Sequence, residues 1–158
     1  MIPTEINVTH CDYGDPSHLQ AVATLINTYI RDEMGGGEPL SKSGRFRLVD
    51  GLQNSANAIV LLAMYRGSFC GLLVAFENFS TFTAQPMINI HDIFVPRSCR
   101  RKGAGRKLMN ALIAEARERR CSRITLEVRH DNAAAQHLYR DMGFDDTNPP
   151  MYYWRKQL

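Results

Sequence analysis

The strongest constraint on the fold is the run Phe94-Val95-Pro96-Arg97-Ser98-Cys99-Arg100-Arg101-Lys102-Gly103-Ala104-Gly105-Arg106-Lys107-Leu108. A strand must stop at Pro96, which has no N–H to give to a ladder. A short basic loop follows, and two glycines then open a long amphipathic helix over residues 103–120. The first N–H groups of such a helix lack internal partners, and with the helix dipole they make an anion site. Gly103 and Gly105 let a ligand reach the backbone with no Cβ in the way. Six cations, Arg97, Arg100, Arg101, Lys102, Arg106 and Lys107, crowd this stretch with no acid among them. They repel one another unless an anion or solvent screens them. The loop is not a Walker loop, because no Gly-Lys-Ser/Thr follows, and it lacks the third glycine of a dinucleotide fingerprint.

The remaining 158-residue sequence narrows the setting. At 44% apolar and 22% charged it is expected to form one compact domain over residues 1–158, and disordered, collagenous and coiled-coil chains are excluded. No apolar run approaches the ~18 residues of a membrane span, so no membrane partner is expected. Met1-Ile2-Pro3-Thr4-Glu5 has neither part of a secretory leader, which makes the cytoplasm the expected location. The four cysteines, Cys11, Cys70, Cys99 and Cys121, form no Cys-x-x-Cys pair, so no metal site is expected. The net charge of +3 is concentrated at one helix start without a stripe of aromatics, which argues against a nucleic-acid partner.

Periodicity gives the order of elements. Residues 4–9 read as a first strand, 17–32 as a helix with Ser17 as its cap, and about 41–53 as a shorter helix. Two apolar runs, 58–65 and 70–79, flank the turn Arg66-Gly67-Ser68 and read as a hairpin, with 87–95 as the next strand. Residues 123–129 alternate as a strand, Asp131 caps a helix that ends before Gly143, and 152–156 read as a last strand. The fold class is therefore α/β: a mixed, mostly antiparallel sheet flanked by helices, in the order β-α-α-β-β-β-α-β-α-β.

Arg100-Arg101-Lys102-Gly103-Ala104-Gly105 resembles the Arg/Gln-x-x-Gly-x-Gly/Ala signature of the GNAT superfamily of N-acetyltransferases. A second signature, Asn132, Ala135, Tyr139 and Gly143-Phe144, follows in the family's order. The resemblance is strong from about Ile88 to Phe144 and weak before Ala58. It implies the GNAT fold, with acetyl-coenzyme A as cosubstrate and its pyrophosphate held by the loop at Arg100, Arg101, Lys102, Gly103, Ala104, Gly105 and Arg106. By the same resemblance Ile93, Phe94 and Val95 lie along the pantetheine. The Ile93 N–H polarises the acetyl carbonyl and Val95 pairs with the pantetheine amides. Asn132 and Ala135 also meet the cofactor, and Tyr139 both meets it and protonates the departing thiolate.

The general base stays open among three residues. Simple alternation places Asn89, His91, Ile93 and Val95 on one face and Asp92 on the other. His91 stands where polyamine acetyltransferases carry a glutamate and serotonin-type enzymes a histidine, and an imidazole is a common general base. Asp92 and Glu127 are the reserves. Cys99 lies among arginines, but direct transfer in a ternary complex leaves it no catalytic part. The expected reaction is acetyl transfer from acetyl-coenzyme A to a primary amine of a small molecule or peptide. The alternative is a coenzyme A-binding regulatory module without turnover, against which Tyr139 and a candidate base both argue. Dimers are common among such enzymes, so a homodimer is one assembly the resemblance allows, and the oligomeric state stays open. Asp32, Glu33 and Glu38 surround Gly35-Gly36-Gly37 between the first two helices, and this segment reads as an acidic, glycine-hinged lid for a cationic acceptor.

Overall fold

A computed structural model describes residues 5–158. The chain divides into two compact units, one ending at Glu127 and the other Val128–Leu158.

The first unit is a five-stranded sheet in sequential order: β1 (Asn7–His10), β2 (Ala58–Tyr65), β3 (Ser68–Ser80), β4 (Gln85–Phe94) and β5 (Ile124–Leu126). Helices α1 (Pro16–Arg31) and α2 (Lys42–Asn54) join β1 to β2, and α3 (Ala104–Glu118) joins β4 to β5. The β1 to β4 pairings are antiparallel, and β4 with β5 is parallel. Of the expected first strand, Thr4 lies outside the described residues. Helix α1 is capped by Asp15, whose Oδ1 accepts from Ser17 N at 2.8 Å, and not by Ser17 itself. Pro16 explains the choice, since at the first helical position it has no N–H to satisfy.

Strands β2 and β3 are buried on both faces, which is why they read as unbroken apolar runs. Val60, Leu62, Leu72, Val74 and Phe94 form one core with Val22, Leu25 and Ile26 of α1 and Leu52 of α2. On the opposite face lies α3, with Leu108, Met109 and Leu112 fully buried. Leu108 sits directly over β3, where a Cβ added at Gly71 would come within 3.1 Å of its Cδ1.

One irregularity in β4 decides what the sheet presents. Val74 pairs with Asp92 but Ala75 pairs with Ile90, so His91 is an extra residue, a β-bulge. Paired residues share a face. Asp92, opposite Val74, and Asn89, opposite Phe76, therefore lie on the α1/α2 side, and Ile93, opposite Leu73, lies on the other. Strict alternation across β4 had separated Asp92 from Asn89 and joined Ile93 to it. The bulge reverses both assignments, because one inserted residue shifts the period-two count.

Strand β5 is shorter than the expected 123–129, with three paired residues. The second unit contains α4 (Ala133–Asp141), capped by Asn132, whose Oδ1 accepts from Ala135 N at 3.2 Å. Asp131 was expected to cap this helix. Its carboxylate is instead held by Arg129 at 2.9 and 2.7 Å. The expected last strand at 152–156 does not form: these residues have no regular structure, and Tyr152, Tyr153 and Trp154 are exposed. Three consecutive aromatics suit a strand by propensity, but a strand exists only with a paired neighbour.

Candidate active site

The loop between β4 and α3 is built on backbone geometry that side chains alone do not dictate. Beyond Pro96, residues Arg97–Cys99 make a single tight turn, with Cys99 N donating to Pro96 O at 2.8 Å. Arg101 then takes φ 64° and Gly103 φ 85°, both left-handed. Gly103 is the N-cap of α3, and no side chain caps the helix there. The helix start is therefore open to an anion, and the left-handed conformation explains the glycine.

The arginines are held, and acids from across the chain hold them. Arg100 donates from Nε to Val95 O at 3.0 Å and from Nη2 to Asp32 Oδ2 at 3.2 Å. Arg97 donates to Glu33 Oε2 at 3.4 Å. Lys102 donates to Ser98 O at 3.1 Å and stands 4.9 Å from the centre of the Tyr65 ring. A cleft of about 420 Å³ lies between the end of α1 and this loop, lined by Thr28, Asp32, Glu33, Phe94, Arg97 and Ser98.

The segment expected to be a glycine-hinged lid is a pinned turn. Asp32 N donates to Tyr29 O, Gly35 N and Gly36 N to Asp32 O, and Gly37 N to Ile30 O, all between 2.9 and 3.1 Å. Gly35 is required for close approach, since a Cβ there would lie 2.0 Å from Tyr29 O. Two of the acids assigned to an acceptor, Asp32 and Glu33, face arginines of the loop between β4 and α3. Sequence reasoning missed this partnership, which spans 68 residues from Asp32 to Arg100. The available signal was charge complementarity between an acid-only and a base-only segment.

Next to the loop, the sheet opens. The β4–β5 pairing ends at Ile90 with Leu126, and β4 runs on through Phe94 with β3 as its strand partner. Residues 91–94 thus leave one backbone edge without a strand among the described residues, where an extended ligand can hydrogen-bond. Asn89 ties the last paired turn together, its Nδ2 donating to Thr125 Oγ1 at 3.0 Å.

The bulge brings His91 and Asp92 together beside this opening. His91 is exposed and meets the Phe76 ring edge-on at 4.9 Å. Asp92 is half-buried, and burial pushes its carboxyl above the ordinary value, against the lowering effect of His91. Glu127, the other reserve base, is exposed just past the end of β5. Cys99 lies in the loop, and the neighbouring Cys70 thiol is pushed up to about 11, chiefly by burial.

In the second unit, Tyr139 is 8% exposed, with its ring 6.0 Å from that of Phe144. Its carbonyl accepts from Met142 N and Phe144 N, both at 3.0 Å, which fixes the end of α4. Asn132, Ala135 and Tyr139 follow at intervals of about one turn. Asn132 commits its Oδ1 to the cap, leaving its amide nitrogen as the donor end.

An open helix start fed by a proline-ended strand, beside a sheet that parts, is the arrangement on which known acetyltransferases can be compared. The profile of the acetyltransferase (GNAT) family matches residues 25–144. This chain belongs to the GNAT acetyltransferase family. It is 28% identical over 142 residues to the uncharacterized N-acetyltransferase YhfO of Bacillus subtilis, covering 87% of this chain and 90% of that protein. It is 42% identical over 74 residues to streptothricin acetyltransferase of Streptomyces lavendulae, covering 47% of this chain and 39% of that one. The structure of AAC(6')-Iy with the bisubstrate analogue CoA-S-monomethyl-acetylneamine shares the fold, with a TM-score of 0.78, 16% identity and coverage of 98% and 99%. GNAT enzymes take their acetyl group from acetyl-coenzyme A. The loop of this GNAT chain suits that cosubstrate, combining an uncapped helix start, a left-handed glycine and guanidinium donors for a pyrophosphate. Among the described residues no helix is long and apolar enough to cross a membrane.

Proposed function

We propose that this chain transfers the acetyl group of acetyl-coenzyme A to a primary amine of a small molecule or peptide, by direct attack in a ternary complex. The observation that carries the reading is the parting of β4 from β5 after Ile90, on the strand whose end leads through the basic loop to the uncapped glycine start of α3. In this reading residues 1–158 act as one acetyltransferase domain, in the cytoplasm. Arg100, Arg101, Lys102, Gly103, Ala104, Gly105 and Arg106 take the pyrophosphate. Phe94 and Val95 line the pantetheine, and the Ile93 N–H holds the acetyl oxygen. Asn132 and Ala135 contact the pantetheine from α4.

Asp92 accepts the amine proton, with His91 beside it as the second acid–base group. Burial supports Asp92, because a carboxylate with a raised pKa is a stronger base. As the amine nitrogen bonds to the acetyl carbon, the carbon–sulfur bond breaks, and Tyr139 gives its phenolic proton to the departing thiolate. The name of streptothricin acetyltransferase and the acetylneamine analogue bound to AAC(6')-Iy support amine-bearing acceptors as the first to try.

The test is an acceptor panel containing streptothricin, an aminoglycoside, a polyamine and peptides with free N-termini. Free thiol release from acetyl-coenzyme A is followed colorimetrically, and the product is weighed by mass spectrometry. Amine-dependent thiol release with one added acetyl group is the expected result. Tight acetyl-coenzyme A binding with no release for any amine would replace this reading with that of a regulatory module.

A further inference from the structure

The proposed function leaves Asp32 without a part, yet its surroundings are those of a built element. Its side chain is 10% exposed. Its Oδ1 accepts from Met34 N at 3.1 Å and its Oδ2 from Arg100 Nη2 at 3.2 Å. Its carbonyl accepts from Gly35 and Gly36, and its N–H donates to Tyr29 O. Every hydrogen-bonding end of this residue is therefore committed, and all but one bond fixes its own turn. The exception crosses to Arg100, whose Nε is bonded to Val95 O at 3.0 Å.

We infer that Asp32 is a positioning residue for the cofactor loop: it holds the Arg100 fork so that the guanidinium locks the Val95 carbonyl at the strand end and still aims its remaining donors at an anion. This rests on the reading of residues 100–106 as the pyrophosphate loop. A guanidinium has five N–H donors in one plane, so fixing two edges fixes the direction of the rest. Glu33, the neighbouring acid, differs in kind. Its pair with Arg97 is 3.4 Å long, and both side chains are 73% exposed. Such a surface pair sets no geometry.

The two adjacent acids therefore give opposite results when neutralised. Electrostatics alone makes either loss of negative charge beside an anionic ligand tighten binding. Positioning makes Asp32→Asn weaken it. Asparagine keeps the Oδ1 bond to Met34 N and loses the charged partner of Arg100, so the turn survives.

The experiment is calorimetric binding of acetyl-coenzyme A to the full chain, without acceptor. Asp32→Asn is expected to raise Kd roughly fivefold to tenfold, and Glu33→Gln to leave it level or lower it. Arg100→Lys keeps the charge but loses the fork. It is expected to weaken binding, and adding Asp32→Asn to it to cost little more, because residues in one network are not additive. Thermal unfolding of each variant within about 2 °C of the parent shows that the loss is not one of folding. An Asp32→Asn Kd equal to or below the parent value overturns the inference. So does full additivity with Arg100→Lys, and so does a loss accompanied by a large drop in Tm. If the parent chain itself binds no acetyl-coenzyme A, the fault lies in the loop assignment and the inference falls with it.

Discussion

Gly35→Ala tests the pinned turn between α1 and α2 with a single methyl group. The new Cβ would lie 2.0 Å from Tyr29 O, 2.8 Å from Tyr29 C and 2.9 Å from Ile30 Cα, all backbone atoms. Ordinary contact begins at 3.4 Å, so the turn and the end of α1 must separate by 3.4 − 2.0, or 1.4 Å. A shift of that size breaks the bonds from Asp32 N to Tyr29 O and from Gly37 N to Ile30 O. At about 1 kcal/mol net for each bond and about 1–3 kcal/mol for residual overpacking, the gross loss is about 3–5 kcal/mol. The stiffer unfolded chain returns about 0.4–1 kcal/mol. A net loss near 3 kcal/mol lowers Tm by about 6–12 °C in a chain of this length. Gly51→Ala is the matched control, since it lies inside α2 with nothing within 4 Å of an added Cβ. It is expected to gain about 0.5–1 kcal/mol. Circular dichroism melts of both variants make the comparison. A Gly35→Ala protein that melts with the parent, or above it, refutes the close-approach account and restores a flexible hinge.

Tyr139→Phe removes one hydroxyl and is expected to lower kcat about 10²–10⁴-fold, as for a lost general acid, with acetyl-coenzyme A affinity kept; steady-state kinetics within about threefold of the parent would exclude the role. Gly103→Ala forces a side chain onto a residue at φ 85°, and acetyl-coenzyme A Kd is expected to rise at least tenfold, about 1.4 kcal/mol; calorimetry showing unchanged affinity would remove this glycine from the site. Asp92→Asn is expected to abolish the rising limb of kcat/KM with pH, and an unchanged profile would transfer the base to His91 or Glu127. The same variant carries a stability sign. Burial raises the folded pKa of Asp92 above its ordinary 3.8, so its proton-linked stability is full below that value and is lost as pH rises through the folded pKa. The ionised group is a cost at neutral pH, so the Tm advantage of Asp92→Asn over the parent should grow from pH 4 to pH 7, and a constant difference would contradict it.

What could be read from the sequence was what local chemistry fixes. The loop from Pro96 to Gly105 was legible because proline, glycine and a helix start act through their own backbone. Strands β2 and β3 were legible because burial on both faces leaves an unbroken apolar run. His91 as a bulge was not legible, since an inserted residue leaves composition and apolarity unchanged while shifting the phase. Gly35 looked like any glycine in a run of three, and only the path of α1 brings Tyr29 O against it. The pairing of Asp32 with Arg100 required the fold first. At 152–156 the three consecutive aromatics suited a strand by propensity, but pairing belongs to a neighbour and not to the segment.

The extra residue in β4 has a consequence for how such a chain changes over generations. In a regular strand, side chains on one face are two residues, roughly 6.5–7 Å, apart. The insertion seats His91 and Asp92 side by side on one face while every pairing on either flank keeps its partner. Losing His91 would leave a regular strand, an intact core and half of the titratable pair. Gaining a residue there adds chemistry with no core position altered. Chain length at this one point thus sets which side chains stand beside the open strand edge, separately from the substitutions that tune packing.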